Sequence, residues 1–492
     1  MGILEYHEAS KHSPESVRRS RRRLDWANKP APYKDYEPGL AEYPLAWPPP
    51  PSGPGPVEGG FLKSGFLGRL LNLGAGVLRK RAVPGTETIE FRTYASAGGL
   101  YPVEIYAAVG GVAGLPPGLF HYHPRRRALV RLGEGDWRGT LAAATAGEPA
   151  VGEAPVVLAL TGMPWRTAWK YGPRGFRHLY WDAGMILANL LAISSAAGVT
   201  ARVVLGFDDG AVSDLLGLDG TREVPLAVLA VGAGAPAPPA GPVPPLRAAW
   251  APLSGEEIDQ PEILAAQASG GLAGDEVARW RAGGGRRAVA GREPGGEPGR
   301  EPGGGRGISL ERAIRRRGSA RSFDRLPVPL GMLADILAAA TGGIPTDLTP
   351  AGERRVVPYF IANRVELLDP GAYAYDGDLR MLDLGDFARA AGFLCLEQRL
   401  GRDAAATHFL MADLPAMLGA LGDRGYRVAQ LEAGIVGGRI YLAASRHGLG
   451  ATGLTFYDDE VSEFLAHVGA PGLSPMLAVA VGPATRRLLP LA

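Results

Sequence analysis

Residues 174–184 read RGFRHLYWDAG and residues 424–434 read RGYRVAQLEAG, so one pattern occurs twice at an offset of 250 residues (424 minus 174). A repeat of this length is a domain rather than a solenoid unit. Two copies in one chain predict a fused pseudo-dimer, because the subunits of a homodimer commonly bury the same patch. Three further pairs keep the offset: Ala197-Gly198 with His447-Gly448, Phe207-Asp208-Asp209 with Tyr457-Asp458-Asp459, and Val231-Gly232 with Val481-Gly482.

The region between the copies is rich in proline and glycine, in a chain with 71 Gly and 43 Pro. Residues 233–252 and 283–306 are predicted to bury little surface and to be mobile. Residues 255–281 between them can hold one or two helices. The predicted organisation is a first half at 1–235, a linker at 236–306 and a second half at 307–492.

Both halves show the same coarse order of predicted elements. Residues 104–109 and 356–361 have the composition of buried strands, and a terminal apolar strand is expected at 225–231 and again at 476–481. A long helix is expected after each Asp/Glu-Ala-Gly triplet. Strand and helix patterns are mixed rather than strictly alternating, which favours an α+β fold over a doubly wound parallel sheet.

Composition and charge exclude several classes of protein. The net charge of +2 gives no global electrostatic case for a nucleic acid or membrane partner. No apolar run is long enough to span a membrane, and no signal peptide is recognisable at the N-terminus, so a cytoplasmic protein is expected. The single cysteine, Cys395, lies in an apolar run and is interpreted as a core residue. No metal site is predicted, because the histidine pairs lack further ligands.

A basic segment follows a predicted helix at the start of the second half. Arg317 and Arg321 flank Ser319, and two arginines beside a hydroxyl can wrap a phosphate with charge-assisted hydrogen bonds. A solvated basic helix end is the alternative. The first half has a run of the same spacing, which comprises Arg18, Ser20 and Arg22.

A small-residue segment precedes a predicted strand in the first half. Ser96, Ala97 and Gly98 would let the backbone approach a flat ring closely, and the Ser96 hydroxyl could donate a hydrogen bond. An ordinary loop-to-strand connection is the alternative. The matching stretch of the second half, residues 350–355, lacks the serine and has diverged.

Lys170 and Tyr171 form a further candidate. Each has an ordinary pKa near 10, and the pair can transfer protons if burial or a neighbour lowers one of these values. A surface lysine beside a packing tyrosine is the alternative. The second half has Ala420 and Leu421 in this place, so only the first copy keeps the pair.

The Asp/Glu-Ala-Gly triplets are the last candidates. An acid at a helix start stabilises the positive end of the helix, which is the structural interpretation of Asp182 and Glu432. The functional interpretation is that free N–H groups at this helix start face a cofactor.

Together these stretches resemble the nitroreductase superfamily and, within it, the SagB/ThcOx-type dehydrogenases. The resemblance spans most of both halves and excludes the linker. Its combination of motifs is specific, although each short motif alone is not. The matching stretches are residues 11–13, 24–28, 96–104, 118–122, 170–174, 182–184 and 215–220.

The resemblance implies a nitroreductase-like α+β fold, with two tandem copies as an intrachain pseudo-dimer and FMN at the interface. It assigns the FMN phosphate and ribityl chain to the Arg-x-Ser-x-Arg segment and to a basic C-terminal residue, Arg486 or Arg487. It places the Glu-Ala-Gly backbone near flavin N5, and it takes the serine loop from the other half. The implied cofactor-binding residues are Arg317, Ser319, Arg321, Glu432, Ala433, Gly434, Arg487, Ser96, Ala97 and Gly98.

A mirror site would need the diverged loop around Ala351, so one functional flavin is expected. This mirror site would use Arg18, Ser20, Arg22, Asp182 and Gly184.

The resemblance also implies an activity. Lys170 and Tyr171 match a catalytic pair of azoline dehydrogenases, so the implied function is FMN-dependent oxidation of a peptide azoline or a related small molecule. One of the two would remove a substrate proton while hydride passes to the flavin, which oxygen then reoxidises. No leader-peptide-binding domain is recognisable, so a peptide substrate would require biosynthetic partner proteins. An NAD(P)H-dependent nitro or quinone reductase and a flavin-less binding protein remain the alternatives.

Overall fold

The computed structural model of the chain describes residues 1–20, 22–47, 55–58, 61–82, 88–242, 246, 248–284, 308–348 and 354–487. The predicted loop around Ala351 and most of the predicted mobile segment at 283–306 lie outside the described residues.

Strands and helices of the first half lie between Ile3 and Val231. The strands are β1 (Glu42–Pro44), β2 (Val57–Glu58), β3 (Phe61–Lys63), β4 (Val77–Arg81), β5 (Ile89–Arg92), β6 (Val103–Val109), β7 (Val112–Ala113), β8 (Gly118–His123), β9 (Ala128–Glu134), β10 (Val156–Gly162), β11 (Ala201–Val204) and β12 (Val224–Val231). The helices are α1 (Ile3–Ala9), α2 (Pro14–Arg19), α3 (Ser64–Ala75), α4 (Arg138–Ala144), α5 (Pro149–Glu153), α6 (Pro164–Tyr171), α7 (Gly175–Ala196) and α8 (Asp209–Leu216).

The predicted linker contains α9 (Pro261–Ser269) and α10 (Glu276–Gly284). The helices of the second half are α11 (Leu310–Arg316), α12 (Leu330–Thr341), α13 (Ala388–Leu394), α14 (Arg399–Asp403), α15 (Leu414–Leu421), α16 (Arg424–Arg446) and α17 (Asp458–His467). Its strands are β13 (Ala320–Phe323), β14 (Val328–Pro329), β15 (Val356–Ala362), β16 (Val365–Glu366), β17 (Gly371–Tyr375), β18 (Leu379–Leu384), β19 (Ala406–Ala412), β20 (Gly450–Leu454), β21 (Ser474–Gly482) and β22 (Ala484–Arg487).

Each half has a mainly antiparallel sheet covered by helices, which confirms the α+β prediction. The strand order is β1-β9-β8-β6-β10-β12-β11 in the first half and β18-β17-β15-β19-β21-β20 in the second. The second order repeats the first except for β1, which pairs with the edge strand β9. The duplication seen in the sequence is therefore a duplication of topology.

A β-bulge is repeated at the same place in both sheets. The pairing of β10 with β12 shifts between Leu160 and Thr161, where Pro225 stands on the partner strand. The pairing of β19 with β21 shifts between Leu410 and Met411, opposite Pro475. Proline cannot donate to the ladder, so it is tolerated at a bulge.

The two halves meet along the long helices α7 and α16. A Cβ added at Gly184 would lie 2.6 Å from the Cα of Gly434, so only glycine allows the backbones to approach this closely. The expected helix start after each triplet is wrong, because α7 begins at Gly175 and α16 at Arg424. The triplets lie inside these helices, at the point where the helices cross.

Paired ion clusters fasten each half to the other. Arg174 and Arg177 donate to the buried carboxylate of Asp458, at 2.7 and 2.5 Å. The repeat produces the same cluster in the opposite direction, with Arg424 and Arg427 each 2.6 Å from Asp209. One continuous apolar core then includes side chains of both halves.

Among the described residues, one helical stretch, Pro164–Ala196, is long and apolar enough to cross a membrane. However, 83% of its apolar window is buried inside the structure. Cys395 is likewise buried in the core, as the sequence predicts, and burial raises the pKa of its thiol.

Candidate functional site

Arg317 of the second half is hydrogen-bonded to the backbone of the first half. It follows α11, and its buried guanidinium donates to the carbonyl oxygens of Thr93 and Arg92, each at 3.0 Å. These carbonyls belong to the segment that leads into the predicted serine loop. The sequence expectation that the arginine segment and the serine loop come from opposite halves and meet is consistent with this contact.

Arg321 and Ser319 extend the same segment. The exposed guanidinium of Arg321 lies near enough to Lys170 for its charge to act on that amine, whereas the Ser319 hydroxyl lies 3.4 Å from the Tyr441 hydroxyl. The C-terminal strand β22 runs alongside, with Arg487 paired to Ala320 through the backbone. All the basic positions predicted in the second half therefore occupy one region.

The serine loop is held by an acid of its own half. Ser96 donates its hydroxyl hydrogen to Asp182, and the Ala97 N–H donates to the other oxygen of this carboxylate at 3.3 Å. The Ser96 oxygen in turn accepts the Tyr101 N–H at 3.0 Å. Asp182 thus fixes the loop that precedes β6.

Asp182 is buried, and this raises the pKa of its carboxyl group to about 7, although the hydrogen bonds from Ser96 and Ala97 oppose the shift. A carboxyl group with this pKa exchanges its proton near neutral pH. The state of the loop clamp is therefore sensitive to pH.

The triplet of the second half does not join the serine loop. Glu432 accepts the N–H groups of Arg355 and Val356 and so holds the loop before β15. Each acid thus contacts the loop of its own half, and the assignment of Glu432, Ala433 and Gly434 to one cofactor site with Ser96 stays a prediction. Since the triplet lies inside α16, its N–H groups are in the helix interior rather than at a free helix start.

Lys170 and Tyr171 lie at the end of α6, against the serine loop. Gly98 has a φ of +65°, and a Cβ added there would lie 3.0 Å from the Tyr171 hydroxyl and 3.2 Å from the Lys170 amine. The amine stands 5.3 Å from the centre of the Tyr171 ring. The structure thus brings together Gly98, the Lys-Tyr pair and Arg321, which the sequence singled out separately.

The two members of the pair have opposite pKa shifts. Burial lowers the pKa of Lys170, and the positive charge of Arg321 lowers it further. Burial raises the pKa of Tyr171, with a smaller contribution from Asp182. The lysine is therefore easier to deprotonate than usual, whereas the tyrosine stays protonated and can donate a hydrogen bond.

An aromatic wall adjoins the Lys-Tyr pair and comprises the rings of Tyr171, His178, Trp181 and Phe456. The sequence motifs did not indicate it. The His178 ring meets the Tyr171 ring edge-on at 4.0 Å and the Trp181 ring at 4.6 Å. Trp181 then lies 6.4 Å from Phe456 of the second half. Neither ring nitrogen of His178 has a hydrogen-bond partner among the described residues. The only signal in the sequence was the position of His178 one helical turn before Asp182.

The arginine run of the first half contacts its own half through Arg22. Arg22 donates to the carbonyl oxygens of Ala168 and Trp169, and so caps the C-terminus of α6 beside the Lys-Tyr pair. Asp182, which the sequence analysis also placed in the mirror site, lies with Ser96. Arg22 and Asp182 therefore both contact segments of their own half, and the expectation of a weak or lost mirror site stays a prediction.

The charges in this region fit an anion. Among the described residues, no ion pair joins Arg317, Arg321 or Lys170 to a carboxylate, and Arg317 is buried. Buried charges are ordinarily paired, so a phosphate group would supply the missing negative charge. A glycine loop that approaches the pair closely and a buried aromatic wall nearby suit a flat ring attached to that phosphate.

Known proteins share this architecture. The Nitroreductase family model matches residues 67–233 and 314–483, one match in each half. A protein of Methanocaldococcus jannaschii described as a nitroreductase is 32% identical over 147 residues, which are 30% of this chain and 73% of that protein. A crystal structure of a nitroreductase from Anabaena variabilis has a TM-score of 0.78 and 26% identity, and covers 98% of this chain and 99% of that chain. The chain therefore belongs to the nitroreductase family and carries two copies of its domain in tandem.

Proposed function

We propose that this chain is a cytoplasmic FMN-dependent oxidoreductase and, within its family, a dehydrogenase of the SagB/ThcOx type. Its proposed substrate is a peptide azoline or a related small molecule. The observation that carries the proposal is the group of positive charges without carboxylate partners, which adjoins the glycine loop and the Lys170-Tyr171 pair. Family membership supports an oxidoreductase, whereas the cofactor, substrate and roles of individual residues are proposed.

The second half is assigned to the phosphate end of the cofactor. Arg317 and Arg321 provide guanidinium groups, which match the geometry of a phosphate. Arg317 is already oriented by its two bonds to first-half carbonyls, so little freedom is lost on binding. Ser319 lies between the two arginines in the chain and can add a hydroxyl donor.

The first half is assigned to the ring end of the cofactor and to the substrate. The glycine backbone at Gly98 allows a ring to approach Lys170 and Tyr171, and Asp182 keeps the loop in place through Ser96. When bound, FMN supplies hydride acceptance and transfer to a second acceptor. The protein supplies position and proton transfer.

Lys170 is assigned as the base. Its lowered pKa makes the neutral amine more accessible, and a neutral amine can take a proton from the substrate. Tyr171 stays protonated and is assigned as a hydrogen-bond donor to the substrate. The sequence left open which of the two removes the proton, and their opposite pKa shifts favour the lysine.

The first experiment identifies the cofactor. Purified protein is expected to be yellow, and the pigment released on denaturation is expected to be FMN. Arg321→Ala should weaken FMN binding, whereas Arg389→Ala, which removes an exposed arginine from α13, should not. A colourless protein that takes up no added FMN contradicts the proposal and supports the flavin-less binding protein.

The second experiment separates the dehydrogenase from the reductase. The flavin is mixed without oxygen, either with NADPH or with a candidate azoline peptide and its partner proteins. Bleaching by the peptide, together with the loss of two hydrogens from that peptide, is the expected result. Rapid bleaching by NADPH alone, with no change in the peptide, supports the nitro or quinone reductase instead.

A further inference from the structure

The repeat predicts a second site related to the first by pseudo-symmetry. At the offset of 250 residues, Lys170-Tyr171 corresponds to Ala420-Leu421, and Thr455-Phe456 corresponds to Leu205-Gly206. Phe456 belongs to the aromatic wall of the candidate site. The surroundings of Leu205-Gly206 therefore show what has become of the counterpart site.

The N–H groups of Leu205 and Gly206 are hydrogen-bonded to a buried carboxylate. One oxygen of Asp347 accepts the Leu205 N–H at 2.7 Å, and the other accepts the Gly206 N–H at 3.0 Å. The Asp347 side chain is completely buried, and Arg281 neutralises it at 3.0 Å. Two N–H donors and one guanidinium hold this buried carboxylate in place.

The linker helix α10 packs against the same backbone and against the end of α15. The indole N–H of Trp280 donates to the carbonyl of Leu421, the counterpart of Tyr171, at 2.8 Å. A Cβ added at Gly206 would lie 3.2 Å from the Trp280 ring and 3.0 Å from Asp347. Arg281 also donates to the carbonyl oxygens of Thr145 and Gly206, at 2.8 and 3.0 Å.

In the part of the chain that the structure describes, no carboxylate accepts from the equivalent backbone of the candidate site. Among the described residues, the N–H groups of Thr455 and Phe456 donate no hydrogen bond. Phenylalanine stands where the closed side has Gly206, whose lack of a side chain is what lets Trp280 and Asp347 pack so tightly. The two sides of the pseudo-dimer thus differ in how this backbone is hydrogen-bonded, in addition to the loss of the Lys-Tyr pair.

We propose that Trp280, Arg281 and Asp347 form an internal plug that closes the second cofactor site, so that each chain holds one FMN. This inference rests on the proposed function, because it concerns the count of the same cofactor. The predicted linker then has a second role: besides joining the halves, it replaces a ligand with a helix of the chain itself.

The test is the ratio of FMN to protein. Wild-type chain saturated with FMN and freed of excess should release one FMN per chain. The double variant Trp280→Ala/Asp347→Ala should take up a second FMN of weaker affinity in a titration followed by flavin fluorescence. A matched control is Trp26→Ala, which removes an exposed tryptophan outside the plug and should leave the ratio at one.

A second readout does not require a mutation. Hydrogen exchange of the wild-type chain should show that FMN slows exchange in the serine loop at 96–98 but not at Leu205 and Gly206, whose N–H groups are already bonded to Asp347. Two FMN per wild-type chain, or FMN-dependent protection at 205–206, overturns the plug. A folded double variant that stays at one FMN overturns it too. A wild-type chain that binds no FMN instead overturns the proposed function.

Discussion

The end of α6 in the first half and the end of α15 in the second occupy equivalent positions in the repeated fold. The residues at these two helix ends, and the residues that surround them, nevertheless differ. The first ends in Lys170-Tyr171 beside a glycine loop and an uncompensated arginine, and the second ends in Ala420-Leu421 beneath Trp280. The β-bulges, the glycine crossing and the ion clusters are meanwhile kept in both halves. Both copies have thus kept the contacts that join the two halves. The candidate catalytic pair, Lys170 and Tyr171, is present in the first copy only.

The sharpest test of this comparison is the removal of the lysine. Lys170→Ala should lower turnover by about 10² to 10⁴-fold, which is the usual contribution of a positioned base. The measurement is steady-state oxidation of the substrate, with flavin content determined for each variant. Ala420→Lys is the matched control and should change nothing, because its surroundings are closed by the linker. Equal activity of wild type and Lys170→Ala would remove the distinction between the two sides.

The two ion clusters can be compared by how much each contributes to the free energy of unfolding. Asp458→Asn should lower the free energy of unfolding by about 3–5 kcal/mol, because it leaves two buried arginines without their carboxylate. Asp209→Asn should cost less, since the Asp209 side chain is 18% exposed and that of Asp458 is 0% exposed. Denaturant unfolding measures both. A larger loss for Asp209→Asn would mean that exposure does not govern the difference.

Substitutions at Gly98 and Gly99 distinguish the effect of backbone strain on turnover from the effect of steric contact. Both have positive φ, at +65° and +67°, but an added Cβ meets Tyr171 and Lys170 only at Gly98. Gly98→Ala should lower turnover by about 10- to 100-fold, because small displacements of catalytic groups are costly. Gly99→Ala shares the strain and should keep most of the activity. If both variants lose activity equally, the contact with the Lys-Tyr pair is irrelevant.

The last prediction concerns the dependence of stability on pH. Burial raises the pKa of Asp182 from 3.8 to about 7, so between these values the folded chain holds a proton that the unfolded chain has lost. The contribution of Asp182 to the free energy of unfolding is therefore fully present below about pH 4 and is lost as the pH rises toward 7. Asp182→Asn should remove this slope from a plot of melting temperature against pH. An unchanged slope would show that Asp182 is ionised throughout.

The sequence predicted a large part of the fold because the relevant signals are local or repeated. Buried strands at 104–109 and 356–361, and the two terminal strands, follow from apolar composition. The structure confirms them within a few residues at each end. The starts of α7 and α16 were misplaced, because an acid before an apolar run is typical of a helix start and also occurs inside a helix when it clamps a loop.

The candidate site was only partly predictable. Lys170, Tyr171, Gly98 and Arg321 were singled out by residue type, and the structure brings them together. His178 and the role of Asp347 were missed, because neither belongs to a motif. The contact of Asp182 with Ser96 was not predicted either, since the sequence does not encode which of two similar triplets a loop contacts.

By itself, the sequence determined that this chain is a duplicated α+β protein, because periodicity and repetition survive without coordinates. The tertiary structure alone decided which copy of each repeated residue faces which loop. It also decided that Trp280 and Asp347, far apart in the chain, meet at Gly206. Such choices depend on packing between segments distant in sequence, where shape and the satisfaction of buried polar groups, rather than local pattern, select the contact.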